Sequence, residues 1–262
     1  MLFTDQMNRP VEMPVWPPRR IVSVVPSQTE MLFDWGLEGE VVGVTKFCVH
    51  PAEKTKTKSS VGGTKKLHLE RIAALAPDLI VGNKEENERA DMEWLFGRFP
   101  VWMSDIVLVD DALDMMERLG EAVGRPEAAR ETVSAIRSGF AGFAAEAGER
   151  PRRAAYLIWR KPYMAAAGGT FIHEMLRTAG FSNVFGDLSR YPVVDLGMLA
   201  AADPEVVLLS SEPYPFAEKH FGEFRAACPR AEVRLVDGEM FSWYGTRLLR
   251  SADYFRSLRS AP

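Results

Sequence analysis

The chain has 262 residues, 47% of them hydrophobic and 26% charged, enough apolar material for a buried core in one large domain or two lobes. Its 32 basic and 36 acidic residues leave a net charge of −4, which argues against a nucleic-acid partner. Two cysteines, Cys48 and Cys228, make neither a disulfide framework nor a four-ligand zinc site, and no apolar run approaches the ~20 residues of a membrane span. Residues 1–20 show no basic segment followed by an apolar stretch. The sequence therefore reads as cytoplasmic as it stands, and as periplasmic or extracytoplasmic if a leader has been removed.

Residues 1–18 are rich in proline and predict a hairpin or extended arm. The run Arg20-Ile21-Val22-Ser23-Val24-Val25 predicts a buried strand. Ser27, with Glu30 three residues on, has capping-box spacing ahead of a helix over 28–35 that Gly36 stops. A strand over 41–45 leads into the loop Lys46-Phe47-Cys48-Val49-His50-Pro51. Gly62-Gly63-Thr64 reads as a loop, 69–75 as a helix, 79–82 as a strand and 87–96 as a helix. Short extended pieces follow at 101–103 and 106–109. Residues 110–123 carry Leu113, Met116 and Leu119 at helical spacing. Gly124-Arg125-Pro126 interrupts them, and Pro126 suits the first position of a second helix over 127–146, whose apolar face is Val133, Ile136, Phe140 and Phe143. The second half predicts a strand at 154–159, helices at 170–178 and 196–202, a strand at 206–210, a helix at 217–227, a strand at 233–236 and a closing helix at 248–258. This alternation predicts parallel α/β sheets in both halves.

The halves repeat each other. Leu69-Glu70-Arg71-Ile72-Ala73-Ala74-Leu75-Ala76-Pro77-Asp78-Leu79-Ile80-Val81 returns as Leu196-Gly197-Met198-Leu199-Ala200-Ala201-Ala202-Asp203-Pro204-Glu205-Val206-Val207-Leu208. Upstream, Glu30-Met31-Leu32 with Gly36-Leu37 returns as Glu174-Met175-Leu176 with Gly180-Phe181. Each half reads as a helix, a Pro-Asp or Pro-Glu turn and a buried strand. Two similar lobes imply a cleft between them where a small ligand binds.

Several segments carry a resemblance to a known family: residues 20–30, Val61-Gly62-Gly63, Leu69-Glu70-Arg71-Ile72, Pro77-Asp78-Leu79-Ile80-Val81, Gly168-Gly169-Thr170-Phe171 and Gly180-Phe181-Ser182-Asn183-Val184-Phe185. In that order they resemble the class III periplasmic binding proteins, the solute-binding subunits of ABC importers for cobalamin, iron-siderophores and haem, also called helical-backbone metal receptors. The arm from Thr4-Asp5 to Val11 is similar to that family's first hairpin. Lys46-Phe47-Cys48-Val49-His50-Pro51 and Phe241-Ser242-Trp243-Tyr244-Gly245 resemble a leaderless subgroup. The resemblance implies two Rossmann-like α/β lobes bridged by one long rigid helix, with a ligand cleft between them. On this reading residues 1–109 form an N-terminal lobe, 110–150 the connecting helical segment and 151–262 a C-terminal lobe.

Cys48 and His50 lie two apart in a loop after a strand. They are candidates for ligand contact, and the alternative is structural packing. His50 is also a candidate ligand for iron or cobalt through one ring nitrogen, although two such residues fall short of the roughly three or four protein ligands of a complete metal site. Phe47, Trp159, Tyr163, Phe241, Trp243 and Tyr244, with Met164 and Met240, all follow strands, at what α/β folds make the ligand-facing ends. Flat aromatic side chains suit a corrin or porphyrin. Arg160, Lys161 and Arg247, with Lys46 and Lys65, are candidate partners for carboxylates or phosphates. From these the ligand-binding set is Phe47, Cys48, His50, Trp159, Arg160, Tyr163, Met240, Trp243, Tyr244 and Arg247. The resemblance further implies one permease-docking glutamate per lobe. Glu85 and Glu212 occupy equivalent places in the repeat, with Glu86 and Glu88 as neighbours that could serve instead.

No nucleophile elbow, P-loop, zinc-protease or dinucleotide-binding motif is present. The expectation is a monomeric binding protein, not an enzyme. It has no intrinsic cofactor, takes a metal chelate (cobalamin, haem or a ferric siderophore) as ligand, has an ABC permease as a possible partner, and is neither membrane-inserted nor bound to nucleic acid. The alternative is a cytoplasmic cofactor-handling protein or enzyme that reuses the fold.

Overall fold

Runs that are apolar on both faces form central strands, because only a sheet covered on each side can bury them. Ile21, Val22 and Leu79, Ile80 and Val81 are wholly inaccessible in one half, and Val207 and Leu209 in the other. A computed structural model describes residues 1–146 and 150–260. Residues 147–149 of the expected connector and 261–262 of the expected C-terminal lobe lie outside the described residues. As far as they are described, the residues form two α/β units. The first takes Met1–Ile106, Asp110–Ile136 and Trp243–Leu249, and the second Val107–Val109, Arg137–Ser242 and Arg250–Pro262.

The first unit opens with an antiparallel hairpin of β1 (Leu2–Thr4) and β2 (Pro10–Glu12). There follow β3 (Ile21–Ser23), α1 (Pro26–Asp34), β4 (Val41–Val44), α2 (Ala52–Thr55), β5 (Ser59–Ser60), the small hairpin β6 (Gly62–Gly63) and β7 (Lys66–Leu67), α3 (Leu69–Ala74), β8 (Leu79–Asn83), α4 (Arg89–Phe96) and β9 (Val101–Ser104). Strands β5-β4-β3-β8-β9 make one sheet in that order, parallel throughout. Its core includes Val22, Val24, Ile72, Ile80 and Leu95. The free edge of β9 is covered by the turn of the N-terminal hairpin. Gln6 N donates to Met103 O at 3.1 Å, Met103 N to Asp5 Oδ2 at 3.3 Å and Arg9 Nη2 to Val101 O at 3.2 Å. An exposed strand edge is a template for unwanted pairing, and this arm occupies it.

Two helices follow, α5 (Val109–Ala122) and α6 (Pro126–Ala145). With 20 residues, α6 runs for about 30 Å. The second unit contains β10 (Arg152–Trp159), β11 (Tyr163–Ala165), α7 (Phe171–Thr178), β12 (Phe181–Asn183), β13 (Val193–Val194), α8 (Leu196–Ala202), β14 (Val206–Ser210), a 3-10 turn Glu218–His220, α9 (Phe221–Ala227), β15 (Glu232–Val236), α10 (Glu239–Ser242) and α11 (Leu248–Ser260). Strands β10, β12, β14 and β15 are parallel, and β11 and β13 run antiparallel at one side.

The sequence repeat is a structural one. The pair α3–β8 corresponds to α8–β14, and each strand lies centrally, β8 between β3 and β9 and β14 between β10 and β15. Ala76 and Asp203, at matching places after the two helices, both take left-handed backbone, with φ 43° and 45°. This is unusual for residues other than glycine. Gly36 and Gly180, the matching stops after α1 and α7, have φ 74° and 85°, which glycine adopts without a Cβ penalty.

Four local expectations are corrected. The Ser27–Glu30 capping box does not form, because Pro26 already starts α1, Val25 is the N-cap and no side chain caps it. Val109 opens α5, so 106–109 is not an extended piece. Residues 218–220 form a 3-10 turn ahead of α9, where one helix was expected. The second sheet is not purely parallel, since Tyr163–Ala165 and Val193–Val194 add antiparallel strands too short to show a period.

Candidate functional site

In an open parallel sheet, ligands bind outside the carboxyl ends of the strands, where the strand order reverses. In the first unit the reversal lies between β3 and β8. Polar residues end these strands and are buried: Ser23 on β3, Thr45 after β4, Asn83 on β8 and Ser104 on β9. Gln28 Nε2 and Asn83 Nδ2 both donate to Ser104 Oγ, at 2.6 and 2.9 Å. Asn83 Oδ1 accepts from the amides of Glu85 and Glu86 at 2.8 and 3.0 Å, which turns the chain outward. Thr29 donates to Ser23 Oγ at 2.8 Å.

Onto this end of the unit the segment Trp243–Leu249 is laid. Ser27, Glu30 and Asp34 share one face of α1 at helical spacing, and each holds a point of the segment. A Cβ on Gly245 would lie 2.5 Å from Ser27 O, so only glycine passes there. Arg247 Nε and Nη2 donate to the two oxygens of Glu30 at 2.9 and 2.7 Å. Thr246 Oγ1 donates to Asp34, and Tyr244 OH donates to Glu86. The Arg247 and Glu30 side chains are 5% and 6% exposed, so this is a buried, bidentate ion pair. The Arg247 guanidinium also sits 4.8 Å over the Trp243 ring. Trp243 in turn meets the His50 ring edge-on, with centroids 5.5 Å apart.

His50, half-buried, ends the loop that also carries Phe47 and Cys48. Phe47 is 50% exposed, and Lys46 Nζ lies 4.9 Å over its ring. Cys48 is buried, with Sγ 3.1 Å from Thr29 Oγ1 and 3.2 Å from Thr45 Oγ1. Burial pushes its thiol pKa up, against these hydrogen bonds.

The second unit gathers the other sequence-derived candidates. Trp159 is 39% exposed and meets Tyr214 edge-on at 5.9 Å. Arg160 makes a bidentate pair with Glu223 at 2.9 and 3.0 Å. The guanidinium holds the Glu223 carboxyl below its usual range, with a further contribution from Tyr163. Desolvation, then Glu223, raises the Tyr163 phenol. His220 lies against Tyr214 and Phe216. Glu212 accepts from Ser242 Oγ at 2.6 Å, and Met240 is half-buried in α10. Thus Phe47, Cys48, His50, Trp243, Tyr244, Arg247 and Glu85 belong to the first unit, and Trp159, Arg160, Tyr163, Met240 and Glu212 to the second. Sequence reasoning missed the roles of Glu30, Glu223 and Tyr214. Only Glu30 carried a local signal, and it pointed to a cap.

Among the described residues no group of three or more His, Cys, Asp or Glu is placed to hold a metal ion, and no helix is long and apolar enough to cross a membrane.

Each unit carries an exposed aromatic side chain at the carboxyl end of a strand, Phe47 beyond β4 and Trp159 at the end of β10. The sequence matches the periplasmic binding protein family over residues 21–225, and the chain belongs to that family, one of binding proteins rather than enzymes. The vitamin B12-binding protein of Salmonella typhimurium is 28% identical over 207 residues, 76% of each chain. Two solved structures share the fold. The periplasmic haem-binding protein of Pseudomonas aeruginosa has a TM-score of 0.77 at 21% identity over 94% of both chains. The molybdate-binding protein MolA of Haemophilus influenzae has a TM-score of 0.83 at 16% identity over 98% of this chain and 90% of its own.

Proposed function

We propose that the chain is the solute-binding subunit of an ABC importer and that it binds a metal chelate, a corrinoid in preference to haem or a ferric siderophore. The B12-binding relatives support this class of ligand. One observation carries the preference. Around the Trp243-Tyr244 segment, Glu30 pairs with the Arg247 guanidinium, Asp34 accepts from Thr246 and Glu86 accepts from Tyr244. Among these groups three carboxylates stand against one guanidinium. They suit a ligand rimmed by amide N–H donors, as a corrin is, and disfavour one rimmed by carboxylates, as haem is. In this reading Phe47, His50, Trp243 and Tyr244 are contacts from the first unit, and Trp159, Arg160, Tyr163 and Met240 from the second. A neutral imidazole ligates through one ring nitrogen, and a chelated metal takes His50 as a single further ligand without a complete protein site. Glu85 and Glu212, each placed just beyond the polar end of a central strand, dock onto the permease, and the binding protein acts as a monomer.

Calorimetric titration of the protein with cyanocobalamin, haem and ferric ferrichrome tests this. Saturable one-to-one binding of cyanocobalamin, tighter than of haem, is expected. Haem binding tighter than cyanocobalamin would refute the charge argument, and no binding of any of the three would refute the ligand class.

A further inference from the structure

The contacts of the first unit form a chain of support. Glu30, on the buried face of α1, fixes the Arg247 fork through two charge-assisted hydrogen bonds. The guanidinium carbon lies 4.8 Å from the centre of the Trp243 ring, and the Trp243 and His50 rings meet at 66° with centroids 5.5 Å apart. Burial decreases outward along it: Glu30 and Arg247 are 5% exposed, Trp243 is 7% exposed and His50 is half-buried. A buried ion pair of this kind is a poor source of net stability, because desolvation offsets the attraction. Its geometry is specific, however. A lysine supplies the charge but neither the fork nor the flat face that stacks on an indole. Gly245 and the Thr246–Asp34 bond fix the backbone between Trp243 and Arg247, so the side chains have little freedom to rearrange.

We infer that Glu30, Arg247 and Trp243 form a backing stack that positions the His50 imidazole, with Arg247 a positioning residue and not the cation that meets the ligand. The inference rests on the reading above only in making His50 a ligand contact. The stack itself is testable without any ligand.

The test is the NMR shift of the His50 ring protons, which the Trp243 ring current displaces. The W243L protein gives the reference value with the ring current removed. In E30M/R247M, apolar side chains replace both charges so that neither is left buried alone, and the fold is expected to persist with a cooperative melt. Its His50 resonances should move most of the way to the W243L value. R247K keeps the charge and should move them part of the way. With cyanocobalamin as the probe, affinity should fall about tenfold in E30M/R247M. Wild-type His50 shifts in a folded E30M/R247M protein, or in R247K, would overturn the stack. If the shifts move as expected while wild-type protein binds no cyanocobalamin, the stack stands and the ligand reading falls.

Discussion

Asp78 and Glu205 make the same bond in the two units. Each follows the proline of a repeated helix–strand turn. Asp78 Oδ2 accepts from the amides of Arg19 and Arg20 at 2.9 and 3.0 Å, and Glu205 Oε2 accepts from the amide of Arg153 at 2.8 Å. In return Asp78 N donates to Arg20 O and Glu205 N to Arg153 O, both at 2.8 Å. The carboxylate thus clamps the start of the neighbouring strand, β3 in one unit and β10 in the other. The repeat therefore conserves a way of setting strand register. Asp78→Ala and Glu205→Ala should each lower the denaturation midpoint, while Glu205→Gln, which keeps an acceptor oxygen, should lower it less. Equal midpoints for Glu205→Ala and the wild type would show that the bond does not hold the strand.

The N-terminal arm gives a second prediction. The Asp5 side chain is wholly buried and accepts from the amides of Met7 and Arg9 at 2.9 Å and from the Arg9 guanidinium at 3.0 and 2.7 Å. Asp5→Ala removes the centre of the turn that covers β9. It should cost about 2–3 kcal/mol in denaturant unfolding, the range for losing a buried charged acceptor, and should raise self-association at high concentration because the sheet edge opens. Sedimentation identical to the wild type, with an unchanged midpoint, would contradict this.

A third concerns acid. Glu223 is held below the ordinary carboxylate range, chiefly by its hydrogen bonds to Arg160. A depressed carboxylate contributes stability that is present above its unfolded pKa of about 4.3 and is lost as the pH falls through the folded value. Glu223→Gln should flatten that acid limb and leave the dependence above pH 6 unchanged. An acid limb of wild-type slope in Glu223→Gln would show that the pair does not report on folding.

The thiols give a fourth. Burial raises both Cys48 and Cys228 above the ordinary thiol range, so both are protonated at neutral pH and shielded. Native protein at pH 8 should react with a disulfide reagent only as fast as it opens, with both thiols released together in denaturant. Rapid labelling of Cys48 in the native state would contradict the closed Thr29–Cys48–Thr45 arrangement.

Much of the scaffold was legible because its signals are local. The β-branched runs, the Pro-Asp and Pro-Glu turns and the glycines after α1 and α7 each act within a few residues, and they mark the helix and strand ends closely. The site was legible only in its residue types. Trp243, Tyr244 and Arg247 were legible as aromatic and cationic, yet Glu30 on α1 fixes Arg247 from 217 positions away and Glu86 holds Tyr244. The Ser27–Glu30 spacing pointed to a cap because a capping box and a buried salt-bridge partner look the same in one dimension. Likewise nothing near Arg160 announced Glu223, 63 positions on, and β11 and β13 are too short to show any alternation.

The proposed site holds a metal chelate against His50 and Trp243. Its most direct test is an equilibrium titration of cyanocobalamin into the wild-type protein and into the His50→Ala/Trp243→Leu double variant, followed by calorimetry. Saturable one-to-one binding to the wild type, weakened at least about a hundredfold in the double variant (about 2.7 kcal/mol), is the predicted result. Binding of equal strength to both proteins, or to neither, would contradict it.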